Sequence, residues 1–480
     1  MPQQPSMGMP PRIPFIISPE NRDKSTNKDA RLVNCYVEID ADKNVHLFRR
    51  PGMQQWGVPP GTAAAGNGCY WWNGAVYSVF AGSLYKDLSV VATGLDTTGG
   101  VYSFNSIMGA IPKLVLQNGN QGYAYEDVGG LSATLHSINT EYPEFTVKGL
   151  AYLNGATYVM QHFFGTSVTP AVIWGSAINS VSVAGDWDPL DFITAQMEPD
   201  SGVYLAKQLV YVVAIKEWST EFFYDAGNAT GSPLAPAMNL KLSYGCGSQD
   251  SVQLINDVLF WVSTNRSASN QVVMVEKAQL QIISTPEIDR LLRDIDLTVG
   301  NVASWQIKID GHSFYVITFK SNNLTLAYDI SQNRWEQWTT STGGYLPISC
   351  STRDSAGHII LQHMTTGQLL YGSTDYFTDN GTVIPVSVTT PRWDGNTSRK
   401  KQLSRMNFVT DIVPGSLMQV QTSDDDYQTW SQPRIVDLGT AYPNLINCGT
   451  FRRRAWKFTV VNNLTWRLEA AELQFDLGTL

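Results

Sequence analysis

Cys69-Tyr70-Trp71-Trp72-Asn73-Gly74-Ala75-Val76-Tyr77-Ser78-Val79 is the stretch on which the fold turns. Two apolar, aromatic-rich runs flank Asn-Gly, the dipeptide that best tolerates the two positive φ angles of a two-residue hairpin turn. The pattern returns at Gly149-Leu150-Ala151-Tyr152-Leu153-Asn154-Gly155-Ala156-Thr157-Tyr158-Val159. Weaker copies surround Asn256-Asp257, from Leu254 to Trp261, and Asp310-Gly311, from Lys308 to Val316. Each copy predicts the inner hairpin of a sheet. Between the copies lie runs that read as closing strands: Ser83-Leu84-Tyr85, Ala171 to Gly175, Glu221 to Asp225, Leu326 to Asp329 and Gln368 to Gly372. Units of about 40–60 residues with four antiparallel strands are what a β-propeller blade requires. Residues 67–381 therefore predict a propeller of five to seven blades. The run Tyr328 to Trp335 is kelch-like, a strand and turn with a Trp packed back on the blade.

Outward from that region the rhythm changes. Residues 1–66 read as a flexible N-terminal arm, Met1 to Pro14, followed by a hairpin from Leu32 to Phe48 that ends at Arg50-Pro51-Gly52. This segment is expected to close the last blade or to reach a neighbouring subunit. Beyond Gly381 the strands lengthen and alternate, so residues 382–480 read as a separate β-sandwich-like domain. One helix is expected: Thr285 to Ile295 has an N-cap, Pro at the first helical position, early acids, and Ile288, Leu291, Leu292 and Ile295 at helical spacing.

Composition agrees with an all-β globular chain. Gly (39) and Pro (23) interrupt the sequence too often for long helices, and the 14 Trp, 21 Tyr and 18 Phe exclude disorder, which goes with few aromatics. Charged residues are 16% of the chain, with 33 basic against 42 acidic and a net charge of −9. That balance argues against a general nucleic-acid binder, whose affinity comes from Lys and Arg displacing counterions. No apolar run is long enough for a transmembrane helix, and Met1 to Pro14 lacks the basic and apolar regions of a signal peptide. The cysteines, Cys35, Cys69, Cys246, Cys350 and Cys448, are far apart with no CxxC pair and read as reduced, buried thiols.

Catalytic chemistry has few candidates. The histidines are His46, His136, His162, His312, His358 and His363. The closest pair, His358 and His363, lies on a β-type segment with no neighbouring carboxylate or cysteine, where a metal site needs three or four converging ligands. No phosphate loop or nucleophile elbow is present, so no enzyme and no cofactor is expected. Ser423-Asp424-Asp425-Asp426-Tyr427-Gln428-Thr429-Trp430 looks like the Asp-box turn of sialidases, with Tyr427 where Gly is usual. It reads as a solvated turn before it reads as a calcium site. It also supports the competing class, a carbohydrate-binding or carbohydrate-active propeller. Against that class, a glycosidase needs two carboxylates about 5–9.5 Å apart in a cleft, and no such pair stands out.

Basic residues cluster near the C-terminus. Residues 382–480 hold 11 basic against 9 acidic residues, net +2, leaving 22 against 33, net −11, for the first 381. Lys400 and Lys401, with Arg452, Arg453 and Arg454, are the candidate partner interface, complementary to an acidic protein surface.

Four stretches carry a family likeness: Arg50-Pro51-Gly52-Met53; Trp174-Gly175-Ser176-Ala177 through Gly185-Asp186-Trp187-Asp188-Pro189-Leu190-Asp191-Phe192; Glu198-Pro199-Asp200; and Trp218-Ser219-Thr220-Glu221-Phe222-Phe223. Together they resemble the tail-nozzle, or packaged-DNA-stabilisation, proteins of short-tailed bacteriophages. The resemblance implies a non-enzymatic virion component, made in the host cytoplasm and assembled as a homo-oligomeric, hexameric ring. It also implies head-to-tail adaptor and portal proteins above, a plug, needle or tail fibre or spike beside it, and double-stranded DNA passing transiently through the channel. In that family the Trp-Asp segment is a loop between blades and the Ser-Thr-Glu segment is a strand.

Overall fold

Asn73 and Gly74, Asn154 and Gly155, Asn256 and Asp257, and Asp310 and Gly311 all have both φ angles between 47° and 93°. The four dipeptides therefore make the tight turns the sequence calls for, joining Trp72 to Ala75, Leu153 to Ala156, Ile255 to Val258 and Ile309 to His312. The computed structural model describes residues 10–15, 30–40, 43–57, 64–128, 132–137, 142–164, 167–266 and 270–478.

The turns belong to seven antiparallel units of four strands each, the fifth with its first strand split into Gly245–Cys246 and Gln253–Ile255, which both pair with Val258–Thr264. The first three span Gly66–Trp72 to Ser89–Thr93, Ser103–Ile107 to Ser132–Ser137, and Ala151–Leu153 to Phe192–Ala195. The next three run from Gly202–Gln208 to Leu234–Leu242, Gly245–Cys246 to Gln279–Ile282, and Val302–Ile309 to Arg334–Gln337. The seventh takes Ile348–Arg353, Ile359–His363 and Leu369–Ser373, and borrows its outer strand, Gly52–Gln55, from the N-terminal region. Each unit touches the next, and the seventh touches the first. This is a closed seven-bladed propeller.

A blade is a sheet that buries both faces, so its middle strands are apolar throughout rather than alternating. Ala75–Phe80 and His312–Phe319 are buried at every position. Seven apolar clusters sit one per blade interface, for example Tyr77, Leu84, Leu114 and Tyr125 between blades 1 and 2, and Val76, Phe80, Ile360 and Leu369 between blades 1 and 7. The runs expected to close each unit are instead all third strands. Third strands are flanked on both sides and must be apolar, whereas the outermost strands are largely exposed, as in Gln279–Ile282. The expected helix is Pro286–Arg293, capped by the Thr285 hydroxyl, with Ile288 and Leu292 buried between blades 5 and 6.

The N-terminal hairpin does not itself close the propeller. Cys35–Ile39 and Val45–Arg49 join Arg467–Leu477, Lys401–Thr410 and Asn444–Ile446 in a second kind of sheet. Arg31–Val33 sits between the outer strand of blade 6, which it meets in parallel, and Val386–Thr389. From there Ala455–Val460, Leu417–Ser423 and Arg434–Asp437 extend a nine-stranded sheet. These two C-terminal layers share one core that includes Val37, Leu47, Met406, Trp456 and Phe458. Part of the expected N-terminal arm is docked: Ile13 and Phe15 are buried, Ile13 N donates to Ala471 O at 3.0 Å, and Arg12 pairs with Glu472. Residues 1–9 lie outside the described residues.

Candidate functional site: axis, anchors and rim

The first strands of the blades line a small axial cavity of about 210 Å³. Among the described residues, the charged ones lining it are Lys148 and Asp250, which form a buried ion pair across it. Gln253 Nε2 donates to Ser304 O at 2.9 Å, and Ser304 Oγ donates to Asp250 O at 2.7 Å, so blades 5 and 6 are stitched together at the same level. A duplex whose major groove alone is about 12 Å wide has no passage through this axis. Among the described lining residues the one carboxylate, Asp250, is held by Lys148.

The four sequence stretches prove to be structural anchors. Trp187 is fully buried, donates from Nε1 to Val181 O at 3.0 Å, and meets Tyr142 edge to face at 5.1 Å. The Trp-Asp segment lies inside blade 3, between Ser167–Gly175 and Phe192–Ala195, and not between blades as the resemblance implied. The other two central stretches meet in one buried cluster. Lys216 Nζ lies 2.8 Å from Asp200 and 2.6 Å from Glu221, with all three side chains at 0–1% exposure. The lysine also donates to Glu198 O, the Ser219 hydroxyl and the Trp218 amide donate to Asp200, and the Met197 amide donates to Glu221. Thr220 and Glu221 open the Thr220–Asp225 strand, as the resemblance implied.

Arg50 anchors the fourth stretch. Its guanidinium is 2% exposed and grips both oxygens of Asp379, donates to Asn34 Oδ1 at 2.9 Å, and donates to Thr339 O at 3.0 Å. Gly52 follows because a Cβ there would stand 2.3 Å from Tyr376 O, the acceptor of its own amide.

The basic cluster divides. Lys401 is fully buried, its ammonium donating to Thr397 O, Arg399 O and Arg452 O. Arg454 is 5% exposed, forks onto Asp424 at 2.7 and 2.8 Å, and stacks over Phe451. Both use their donors inside the chain, because their stems are packed where an unpaired charge would be costly. Lys400, Arg452 and Arg453 are exposed, with Arg453 paired to Asp426 at 2.8 Å.

The Asp-box-like turn is built like its namesake. Asp425 accepts from the Thr429 amide at 3.0 Å and from the Thr429 and Ser423 hydroxyls, and Tyr427 takes a φ of 66° where Gly is usual. These donors pull the Asp425 carboxyl down to about 2. Asp424 and Asp426 are occupied by Arg454 and by Arg392 and Arg453, so the three acids do not converge on an ion. A depressed carboxyl stabilises above its unfolded value and loses that contribution as pH falls toward 2. Accordingly, Asp425→Asn should speed amide exchange at Tyr427 and Thr429 at neutral pH, and the parent should show the same loosening only as pH approaches 2. Unchanged exchange in the variant would contradict this.

Among the described residues no group of three or more His, Cys, Asp and Glu side chains is placed to hold a metal. His358 is not isolated, as expected from its segment, but meets Asp354 at 2.8 Å. His312 is buried against Asp329 at 2.6 Å. His136 has a side chain outside the described residues.

Two surface features remain. A cavity of about 790 Å³ lies between the helix, the outer edge of blade 6 and the adjoining sheet, and is lined by Arg31, Arg290, Arg293, Trp430 and Lys457 among others. At the rim of blades 3 and 4, Leu190, Phe192 and Met238 are 73%, 44% and 71% exposed, and the last two line an open hollow.

Fold and anchors together define a seven-bladed propeller, narrow on its axis, closed by its own N-terminal strand and fused to two further sheets. A family model described as "Bacteriophage P22 Gp10, beta-propeller" matches residues 17–351. The chain belongs to that phage stabilisation family. No curated protein matches the sequence. Among solved structures, a streptogramin B lyase is 9% identical with a TM-score of 0.40, over 71% of this chain and 97% of that one. The N-terminal domain of Nup159 is 10% identical with a TM-score of 0.39, over 72% and 99%. The extracellular domain of BT4673 from B. thetaiotaomicron is 9% identical with a TM-score of 0.43, over 86% and 58%.

Proposed function

We propose that this protein is the subunit of a tail nozzle or hub in a short-tailed phage virion, forming the distal DNA channel below portal and adaptor. It retains packaged DNA and passes it during ejection. Membership of the phage stabilisation family supports a structural virion role, and the narrow propeller axis, with a cavity of only about 210 Å³, is the observation that shapes the rest. With no room for a duplex on that axis, a DNA channel has to run between subunits, and one repeated heterologous contact that closes on itself makes a ring. Six copies are the expected number.

Ejection requires that the duplex slide, and each Lys or Arg on the wall would add a phosphate contact to break at every step. A net charge of −9 per chain gives a hexamer −54, which repels DNA rather than gripping it. Retention is then steric, by narrow loops or by a plug or needle. The exposed Lys400, Arg452 and Arg453 are left for an acidic face of a partner protein, and Leu190, Phe192 and Met238 for the contact between subunits. An enzymatic carbohydrate-active reading has less to stand on, since the turn that supported it is spent on its own loop.

Imaging of virions carrying a tagged copy tests the assembly. A closed ring of six at the tail vertex is expected, and a dimer or trimer there would overturn the reading. In solution, binding to duplex DNA should be no tighter than roughly 10⁻⁴–10⁻⁶ M at physiological salt. Tight, steeply salt-dependent binding that disappears in Arg452→Ala/Arg453→Ala would show that basic side chains hold the DNA.

A further inference from the structure

Five cysteines spread over the chain read as unrelated buried thiols, yet the fold brings two of them together. Cys69 lies in the first strand of blade 1 and Cys350 in the first strand of blade 7, with their Sγ atoms 2.9 Å apart. The two strands meet at the seam where the propeller closes. They are held there by the Trp71 amide, which donates to Thr352 Oγ1 at 2.9 Å. Trp71 is two residues past Cys69, and Thr352 two past Cys350, so the strands advance in step and the cysteines face each other. Gln362, fully buried in blade 7, fixes the same level. Its Oε1 accepts from the Gly68 amide at 2.8 Å and its Nε2 donates to Val79 O at 2.9 Å, both in blade 1.

We propose that Cys69 and Cys350 are a disulfide-forming pair that locks blade 1 to blade 7 when the protein meets an oxidising environment. The sulfurs need to approach by about 0.9 Å to reach the bonded distance of roughly 2.05 Å, a movement within the reach of side-chain rotation. Cys350 is the partly exposed partner and Cys69 the buried one, which assigns the order of events. A small disulfide such as glutathione disulfide is the oxidant. The Cys350 thiolate attacks one of its sulfurs, forming a mixed disulfide and releasing one glutathione thiolate. Cys69 then gives up its proton and attacks Cys350 Sγ, and the second glutathione leaves as a thiol. Two protein thiols are oxidised and one glutathione disulfide is reduced to two thiols. Burial raises the Cys69 thiol well above its ordinary range, so the second step is the slow one.

In the propeller this bond would lie at the margin opposite the closing strand. The N-terminal strand Gly52–Gln55 already seals blade 7 at its outer edge, while the thiol pair lies at the inner edge, beside the axial cavity that both residues line. Oxidation would therefore fasten the one seam of the ring at its second margin. In a reducing cytoplasm the pair stays as thiols, and the lock forms outside it.

The experiment uses the full chain, incubated with glutathione disulfide or with dithiothreitol, then alkylated under denaturing conditions and analysed by peptide mass spectrometry. The expected result is a Cys69–Cys350 linked peptide pair, two hydrogens lighter than the reduced peptides, with Cys35, Cys246 and Cys448 alkylated. Because the linkage closes a long loop, the oxidised protein should melt roughly 3–5 °C higher. Cys69→Ser and Cys350→Ser should each abolish both the linked pair and the shift, while Cys448→Ser keeps them. A glutathione adduct that persists on Cys350, or two alkylated thiols after prolonged incubation a few degrees below the midpoint of melting, would overturn the proposal. A linked pair with no rise in melting temperature would overturn the locking role.

Discussion

Replacing Lys216 with methionine is expected to cost about 3–5 kcal/mol of folding stability, the scale for removing one partner of a buried ion pair. The lysine is the one cation among Asp200 and Glu221, and all three groups are out of contact with water. Methionine fills the stem's volume but leaves two carboxylates sharing one buried site. One of them must then take up a proton or draw in water, and both routes are unfavourable next to the apolar seam that Ile215 and Phe222 form with blade 5. The backbone amides of Met197 and Trp218 and the Ser219 hydroxyl still reach the carboxylates, which keeps the loss finite. A triple variant, Lys216→Met/Asp200→Asn/Glu221→Gln, should recover much of the loss, because removing all the charges at once leaves none uncompensated. Urea denaturation followed by tryptophan fluorescence reads both. A single-variant loss below about 1 kcal/mol, or a triple variant no better than the single one, would show that the cluster is not held by its charges.

How far such a cluster can be read from sequence depends on the reach of each signal. The Asn-Gly hairpins are local: the turn chemistry sits within four residues and needs no distant partner, so Asn73-Gly74 and Asn154-Gly155 fix their strand pairs directly. Lys216 carries a weaker signal. A lysine closing the apolar run Val212-Val213-Ala214-Ile215, with acids at Glu217 and Glu221, is out of place on a strand with two buried faces unless a carboxylate answers it. The third strands read as closing strands because apolarity marks a strand flanked on both sides, while a true outer strand such as Gln279–Ile282 looks like a loop. Lys401 and Arg454 stand in charge runs, which ordinarily mean a solvated face. Their seats depend on distant residues as well as near ones: Arg452 O and Phe451 for Lys401, and Asp424 for Arg454. The seam between Cys69 and Cys350 has no local signature, since only ring closure joins residues 281 positions apart.

Arg50→Met should be comparably damaging, by about 3–5 kcal/mol, and should act on propeller closure in particular. Three segments converge on the guanidinium. Asp379 follows the last blade, Thr339 leaves blade 6, and Asn34 lies at the kink between Arg31–Val33 and the N-terminal hairpin, with a φ of 57°. Asn34 in turn donates to Thr339 Oγ1 and Pro385 O, both at 2.9 Å. One planar fork therefore holds the start of the closing strand, the exit of blade 6 and the route into the C-terminal sheets. Methionine keeps the apolar stem but abandons Asp379, and it also leaves Asn34 Oδ1 and Thr339 O each one donor short in the interior. Arg50→Lys should rescue little, since a single ammonium cannot reproduce a bidentate grip while also reaching two further acceptors. The loss should appear first where closure is made: hydrogen exchange should rise in Gly52–Gln55 and in its partner Leu369–Ser373 while the middle strands of blades 3 and 4 stay protected. Uniformly raised exchange across all seven blades would mean that closure is no weaker than the rest of the ring. Exchange and melting like the parent's would mean that Arg50 does not clasp it.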